Sequence, residues 1–205
     1  MSMPASAEAV LEFWFGDRPD DLATLASRAH SWFNATYAFD EQIRQGFSVT
    51  LEAAAAGKLR RWKLTPRGTL ALIIIFDQFP RNIYRGTPPA FAYDSRALAL
   101  SRDAIAMGSD RELGHVERWF MYLPLEHAED IEAQNKSVEC FERLYADAPA
   151  PLREHLAIPR QHALEHRELI ATFGRFPHRN LALDRTSSAD ENAWLAAQRE
   201  ISSQG

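Results

Sequence analysis

Cysteine is almost missing from this chain. The single residue, Cys140, permits neither an internal disulfide nor a cysteine-built zinc site. It is flanked by Glu139 and Glu142, whose charge is expected to raise its pKa and leave a poor nucleophile. Long apolar runs are missing too: the longest, Leu70 to Phe76, is seven residues, and a spanning helix needs about 20. Met1 to Glu8 hold neither a charged segment nor an apolar one, so no secretory signal and a cytoplasmic location are expected. There is no excess of basic charge. With 23 Lys and Arg against 28 Asp and Glu the net charge is −5, which speaks against general nucleic-acid binding and against a polybasic membrane anchor. A Gly-x-Ser-x-Gly elbow, a phosphate loop, a dinucleotide fingerprint and an HExxH are all absent.

What remains is a chain of 205 residues, 46% hydrophobic, long enough for one domain with a sizeable core. Glycine and proline fall at punctuation points and no polar linker divides the sequence, so one helical domain over 1–205 is expected. Apolar spacing between those points is helical. A first short helix ends at Phe15 before Gly16, and a second region runs from Leu22 to Ala56 with a break near Ala35–Phe39. Thr65-Pro66 reads as an N-cap followed by proline at the first helical position. The apolar run after it is read as a central helix packed on several sides and ended by Phe79-Pro80. Further helices are expected from Ala90 to Met107, stopped by Gly108, and from Gly114 to Ala146 with a kink at Pro124. Two more run from Ile158-Pro159 to Phe173, closed by Gly174, and from Ala189 to Ile201. The expectation is an all-α bundle of seven to eight antiparallel helices.

The Gly114–Ala146 pattern is the most informative. Steps of four and three give Phe120, Pro124, His127, Ile131, Gln134, Val138, Phe141 and Tyr145, an apolar seam broken by His127 and Gln134, with Asp130 on the same side and Glu126 and Glu129 flanking. An unpaired buried polar group costs about 1–3 kcal/mol, so something polar must meet this helix. A second feature is an echo between two helix-exit turns. Phe79-Pro80-Arg81-Asn82 is followed by Arg85, and Phe176-Pro177-His178-Arg179-Asn180 by Arg185, with Arg175 just before. These arginines match carboxylate or phosphate geometry. Two readings stand side by side: a satisfied core network of arginines with Glu126, Glu129 or Asp130, or a polar pocket lined by the same groups. His162 and His166, four apart, have a spacing that can ligate one ion, and Glu112-x-x-His115 is half of a di-metal signature. Lys58 to Lys63, with Trp62 and Arg67, is the best basic patch, read as a solvated turn.

Long strings carry a resemblance. Val10 to Gly16, Trp32-Phe33, Phe39-Asp40, Asp77 to Asn82, Pro124 to Glu129 and Phe173 to Asn180 together resemble the family called domain of unknown function 924, from about Glu8 to Ala196. The resemblance implies an all-α fold similar to tetratricopeptide-type superhelices and implies no activity. Where the family tends to have glycine, this chain has Asp184, expected to pair with Arg185 or Arg179.

The functional expectation is a binding module whose pocket, built from Arg81, Asn82, Glu126, His127, Glu129, Asp130, Gln134, Arg175, His178, Arg179 and Asn180, takes a small anion or a peptide. The alternative is a hydrolase or isomerase with His127 and one of Glu126, Glu129 or Asp130 as acid and base, or a metal-assisted version using His162 and His166. No cofactor is called for.

Overall fold

The structure is a computed structural model that describes residues 3–33 and 36–203. Among these it is all helical, with no strand. The helices are α1 (Ala7–Phe15), α2 (Leu22–Phe33), α3 (Tyr37–Ala55), α4 (Pro66–Ile73), α5 (Phe79–Ile83), α6 (Asp94–Met107), α7 (His115–Glu126), α8 (Ile131–Asp147), α9 (Ala150–Phe173) and α10 (Ala189–Ser203). The break expected near Ala35–Phe39 falls partly on residues outside those described; Thr36 caps α3 by accepting from the Phe39 N–H. None of these helices is long and apolar enough to cross a membrane.

The Thr65 cap forms as expected, its hydroxyl accepting from the Gly68 N–H. Leu70 to Phe76 are buried on every side, none more than 5% exposed, and α4 packs against α1, α6 and α7. Here the first correction arises. Phe79-Pro80 does not end this helix. Ile74–Gln78 form a π turn that leads directly into α5, so α4, the π turn and α5 make one rod. A π turn already takes residues out of the i→i−4 ladder, so the N–H missing from Pro80 interrupts nothing. Counted this way there are nine rods among the described residues against the seven or eight expected.

Three other boundaries move. Pro88–Phe91 is a short 3-10 turn and α6 starts only at Asp94. The long pattern from Gly114 to Ala146 is two helices, not one kinked at Pro124, which sits buried inside α7. Pro159 does not open a helix either; α9 starts after Pro149, with Pro151 in its first turn, where proline is best tolerated. Gly108 and Gly174 close α6 and α9 in the left-handed conformation, φ 72° and 70°, as expected of glycine there.

Around the central rod lies an aromatic cluster. Trp14 meets Trp32, Phe79 and Phe120 at centroid distances of 6.1, 5.8 and 5.7 Å, and Trp32 meets Phe120 at 4.6 Å. Fully burying such a ring contributes about 1.5–3 kcal/mol. The cluster joins α1, α2, the central rod and α7, so the end of α7 is held against the π turn by packing. α8 and α9 complete the stack, each pairing with its neighbour in sequence.

Candidate functional site

α7 ends at His127, and the chain turns before Asp130 caps α8 by accepting from the Ala133 N–H at 2.7 Å. The helix end is satisfied from the next helix. Gln134 is fully buried, and its amide donates to the carbonyls of Glu126 and Ala128, each at 2.7 Å, and of Leu125 at 3.4 Å. The polar group that meets the inward carboxamide is thus the open end of α7. The single seam through His127 and Gln134 does not exist, because the two residues lie on different elements.

The partner of His127 comes from the π turn. Asp77 is wholly buried, and its two carboxylate oxygens lie 2.8 and 3.0 Å from His127 Nδ1. Facing a carboxylate, Nδ1 carries the proton and donates, which leaves Nε2 as the free ring nitrogen. Gln78 donates to the same carboxylate at 2.6 Å and Arg81 Nη1 approaches it to 3.3 Å. Burial pushes the Asp77 carboxyl upward, but Arg81 and His127 outweigh it and hold the group well below the ordinary carboxylate range. Arg81 is itself forked onto Asp94 at 2.8 and 2.9 Å.

His127 edges a cleft of about 280 Å³. Gln78, Arg81, Asn82 and Arg85 line one side, Glu126, His162, His166 and Pro159 another, and Trp32, Phe33, Trp119 and Leu123 the apolar remainder. Glu126 is 4% exposed, with Oε1 at 3.1 Å from His166 Nδ1 and Oε2 without a hydrogen-bond partner. Asn82 donates to Asp40 at 2.8 Å, and Arg85 grips the same carboxylate at 2.9 and 3.1 Å. A larger groove of about 700 Å³ runs between α9 and α10, shares only His166 with this cleft and is lined by His178, Glu165 and Glu168 as well; the smaller cleft, which has His127, paired with Asp77, on its wall, is the candidate site.

Of the residues expected at a site, Arg81, Asn82, Glu126 and His127 come together here. Of the others, Gln134 closes α7 and Asp130 caps α8, and the rest serve the second Phe-Pro turn. Glu129 accepts the Phe176 N–H at 2.8 Å and both arms of Arg185 at 2.6 and 2.9 Å, so Arg185 pairs with Glu129 and not with Asp184. Asp130 pairs with Arg102 at 3.1 Å. Arg175 forks onto Glu191 at 2.6 and 2.8 Å, pulling that carboxyl down to about 2, and Asn180 donates to Ser187 and to the same Glu191. His178 lies against Phe176 and Trp194. Arg179, 7% exposed, stacks on Phe91 and Phe176 at 4.9 and 4.5 Å and reaches Asp94 at 3.6 Å; burial and the nearby Arg81 lower its pKa to about 10. The two echoing turns therefore meet at Asp94, which receives one arginine from each. The forks expected to clamp an anion already carry carboxylates.

Sequence reasoning missed Asp77, whose signal was an acid directly after seven apolar residues in a helix buried all round. It also placed His162 and His166 in a metal reading; among the described residues no group of three or more His, Cys, Asp or Glu is arranged to hold a metal ion. Cys140 is buried, and burial more than its acidic neighbours raises its pKa, to about 11.

Residues 10–199 match the family described as bacterial protein of unknown function, DUF924. A solved structure of a protein of unknown function from Agrobacterium tumefaciens is similar, with 33% sequence identity and a TM-score of 0.78 over 92% of this chain and 96% of that one. No curated protein matches the chain.

Proposed function

Since the chain belongs to the bacterial family DUF924, whose function is unknown, we propose that the 280 Å³ cleft is a small-molecule site in which His127, oriented by Asp77, moves a proton. One observation carries this reading: an imidazole with Nδ1 on a fully buried carboxylate stands at the edge of an open cleft. Such a carboxylate fixes the tautomer and stabilises the imidazolium that forms, as in hydrolytic triads. A positioned base or acid contributes about 10²–10⁴ in rate. No hydroxyl or thiol is among the lining residues, so the reaction class is proton transfer on the substrate or attack by an activated water, an isomerisation or a hydrolysis. Asp77 takes the role that Glu126, Glu129 and Asp130 were expected to fill. A cytoplasmic setting belongs to the proposal, since the one cysteine is free and buried and needs no oxidising compartment.

The test follows a bacterial small-metabolite extract by mass spectrometry as the full chain acts on it. The expected result is consumption of at least one compound, slowed about 100-fold or more in His127→Asn while circular dichroism shows an intact fold; His127→Gln repeats the comparison should the first variant fail to fold. No consumption, or equal consumption by the folded variants, overturns the reading. The missing nucleophile favours a second reading, reversible binding of a small anion or peptide, in which Arg85, His162 and His166 supply donors. A compound that co-elutes with the chain unchanged and is released by Arg85→Ala supports that one instead.

A further inference from the structure

The basic patch noted in the sequence, Lys58 to Lys63, forms part of a second cavity that shares no lining residue with the cleft described above. The 3-10 turn Arg60–Leu64 follows α3, and with the C-terminal end of α3, the central rod and α6 it encloses about 320 Å³. Its lining is apolar: Leu59, half-buried, and Ala99, exposed, stand open, and Ala54, Leu72, Phe76 and Leu100, each at most 5% exposed, show only their edges. Its rim holds Arg60, Lys63 and Arg96, and no carboxylate is among the lining residues. This sets it apart from the two Phe-Pro turns, where Arg81, Arg85, Arg175 and Arg185 each hold an acid at 2.6–2.9 Å. Among the described residues none of the ion pairs involves Arg60, Lys63 or Arg96. Arg96 is anchored differently: it donates to the Ala55 carbonyl at 2.7 Å and lies over the rings of Phe76 and Tyr93 at 5.7 and 5.8 Å. Its charge is thus held at the mouth of the cavity by a helix-end carbonyl and two rings, with no carboxylate paired to it among the described residues.

Three cations around a greasy pocket, in a chain of net charge −5, select a ligand that is apolar at one end and anionic at the other. The volume lies at the small end of the roughly 300–1,000 Å³ of ligand sites, so the occupant is a small molecule and not a folded partner. We infer that this cavity binds an amphipathic carboxylate, a free medium-chain fatty acid, with its chain along Leu59 and Ala99 against the edges of Leu72, Phe76 and Leu100 and its head between Arg60, Lys63 and Arg96. The inference is independent of the His127 cleft.

Isothermal titration of the full chain with decanoate tests it, with decanol and decyltrimethylammonium as neutral and cationic counterparts of the same chain length. Saturable binding of decanoate is expected, with decanol at least about tenfold weaker and the cation not bound, since three exposed rim charges, each worth up to about fivefold, act on the same head group. Arg60→Glu with Lys63→Glu, both exposed positions, should weaken decanoate at least about tenfold. Ala99→Trp, which fills the mouth and leaves the charge untouched, should do the same. His127→Asn should leave decanoate binding as it was. Four outcomes overturn the inference: no saturable binding, equal affinity for decanol, binding that survives the double charge reversal, or binding lost in His127→Asn. Capture of an acidic peptide or of anionic phosphatidylglycerol vesicles without decanoate binding overturns it as well.

Discussion

Replacing Asp77 with asparagine tests the site at its root. The carboxylate is wholly buried, holds His127 Nδ1 at 2.8 Å and lies 3.3 Å from Arg81. Asparagine keeps the volume and removes the charge. Taking one partner out of a buried pair costs about 3–5 kcal/mol. Arg81 keeps its fork on Asp94, so the lower end, about 3 kcal/mol, applies here. For a chain of this length each kcal/mol moves the melting point by roughly 2–4 °C, giving a fall of roughly 6–12 °C at pH 7.

The pH dependence gives a second handle. Because Arg81 and His127 outweigh burial and depress the Asp77 carboxyl, the native chain holds that proton less firmly than the unfolded chain does. Its stabilisation is then fully present above the unfolded value near ~3.9 and is lost as pH falls toward the depressed native value. Asparagine does not titrate. The gap in melting point between wild type and variant should therefore be present at about pH 8 and narrow below about pH 4. Thermal melts followed by circular dichroism across that range read both features. A cycle with His127→Asn isolates the pair, with about 1–3 kcal/mol of coupling expected. A variant that melts within about 2 °C of wild type at pH 7 refutes the reasoning, and so does a gap that stays constant into acid.

Four further outcomes are expected. Gln134→Leu strips the donor from three carbonyls at the end of α7 and should cost about 2–3 kcal/mol in urea unfolding; a loss below 0.5, within the ordinary scatter of about ±0.5 kcal/mol for harmless changes, counts against the capping role. Gly68→Ala places a Cβ on the Trp62 carbonyl and should destabilise by about 2 kcal/mol, read in the same assay. Asp184 holds φ 51°, a conformation that costs an ordinary L-residue about 1–2 kcal/mol; since asparate-like side chains tolerate it and glycine loosens the unfolded chain, Asp184→Gly should fall between no change and about 1 kcal/mol of gain. The thiol of Cys140, fully buried with its pKa raised to about 11, should resist Ellman's reagent at pH 8 until the chain is unfolded; prompt labelling of folded protein contradicts its burial.

Much of the fold could be read from local chemistry. Thr65-Pro66, Gly108 and Gly174 act where a cap must act, and the run Leu70 to Phe76 is buried because no face of it is polar. The π turn was not readable, since no residue type encodes it and Phe79-Pro80 imitates a helix stop. The break after Glu126 was hidden because His127, Glu129 and Asp130 keep helical spacing; Asp130 as an N-cap before Ile131 was its signal, and the amide of Gln134 then closes α7 from the new helix. That error misdirected the search for an acid to pair with His127. At a helix end neighbouring side chains diverge, and Glu126, Glu129 and Asp130 go to His166, Arg185 and Arg102. The true partner lies 50 positions away, beyond any spacing argument.

Two irregularities, the π turn and the terminated α7, meet at a single contact between Asp77 and His127. A purely structural account makes Asp77 the counter-ion of Arg81. That account covers one of its two contacts: Arg81 is also forked on Asp94, which it shares with Arg179, so Asp77 balances part of the charge there and holds His127 as well. Stability alone is served as well or better by apolar side chains than by a buried ion pair, and a π turn gives up regular hydrogen bonding at the place where it occurs. Local rules are most often broken where a site requires it. A counter-ion for Arg81 could stand anywhere along its guanidinium, whereas this carboxylate also fixes one imidazole, and that imidazole stands at the edge of the cleft.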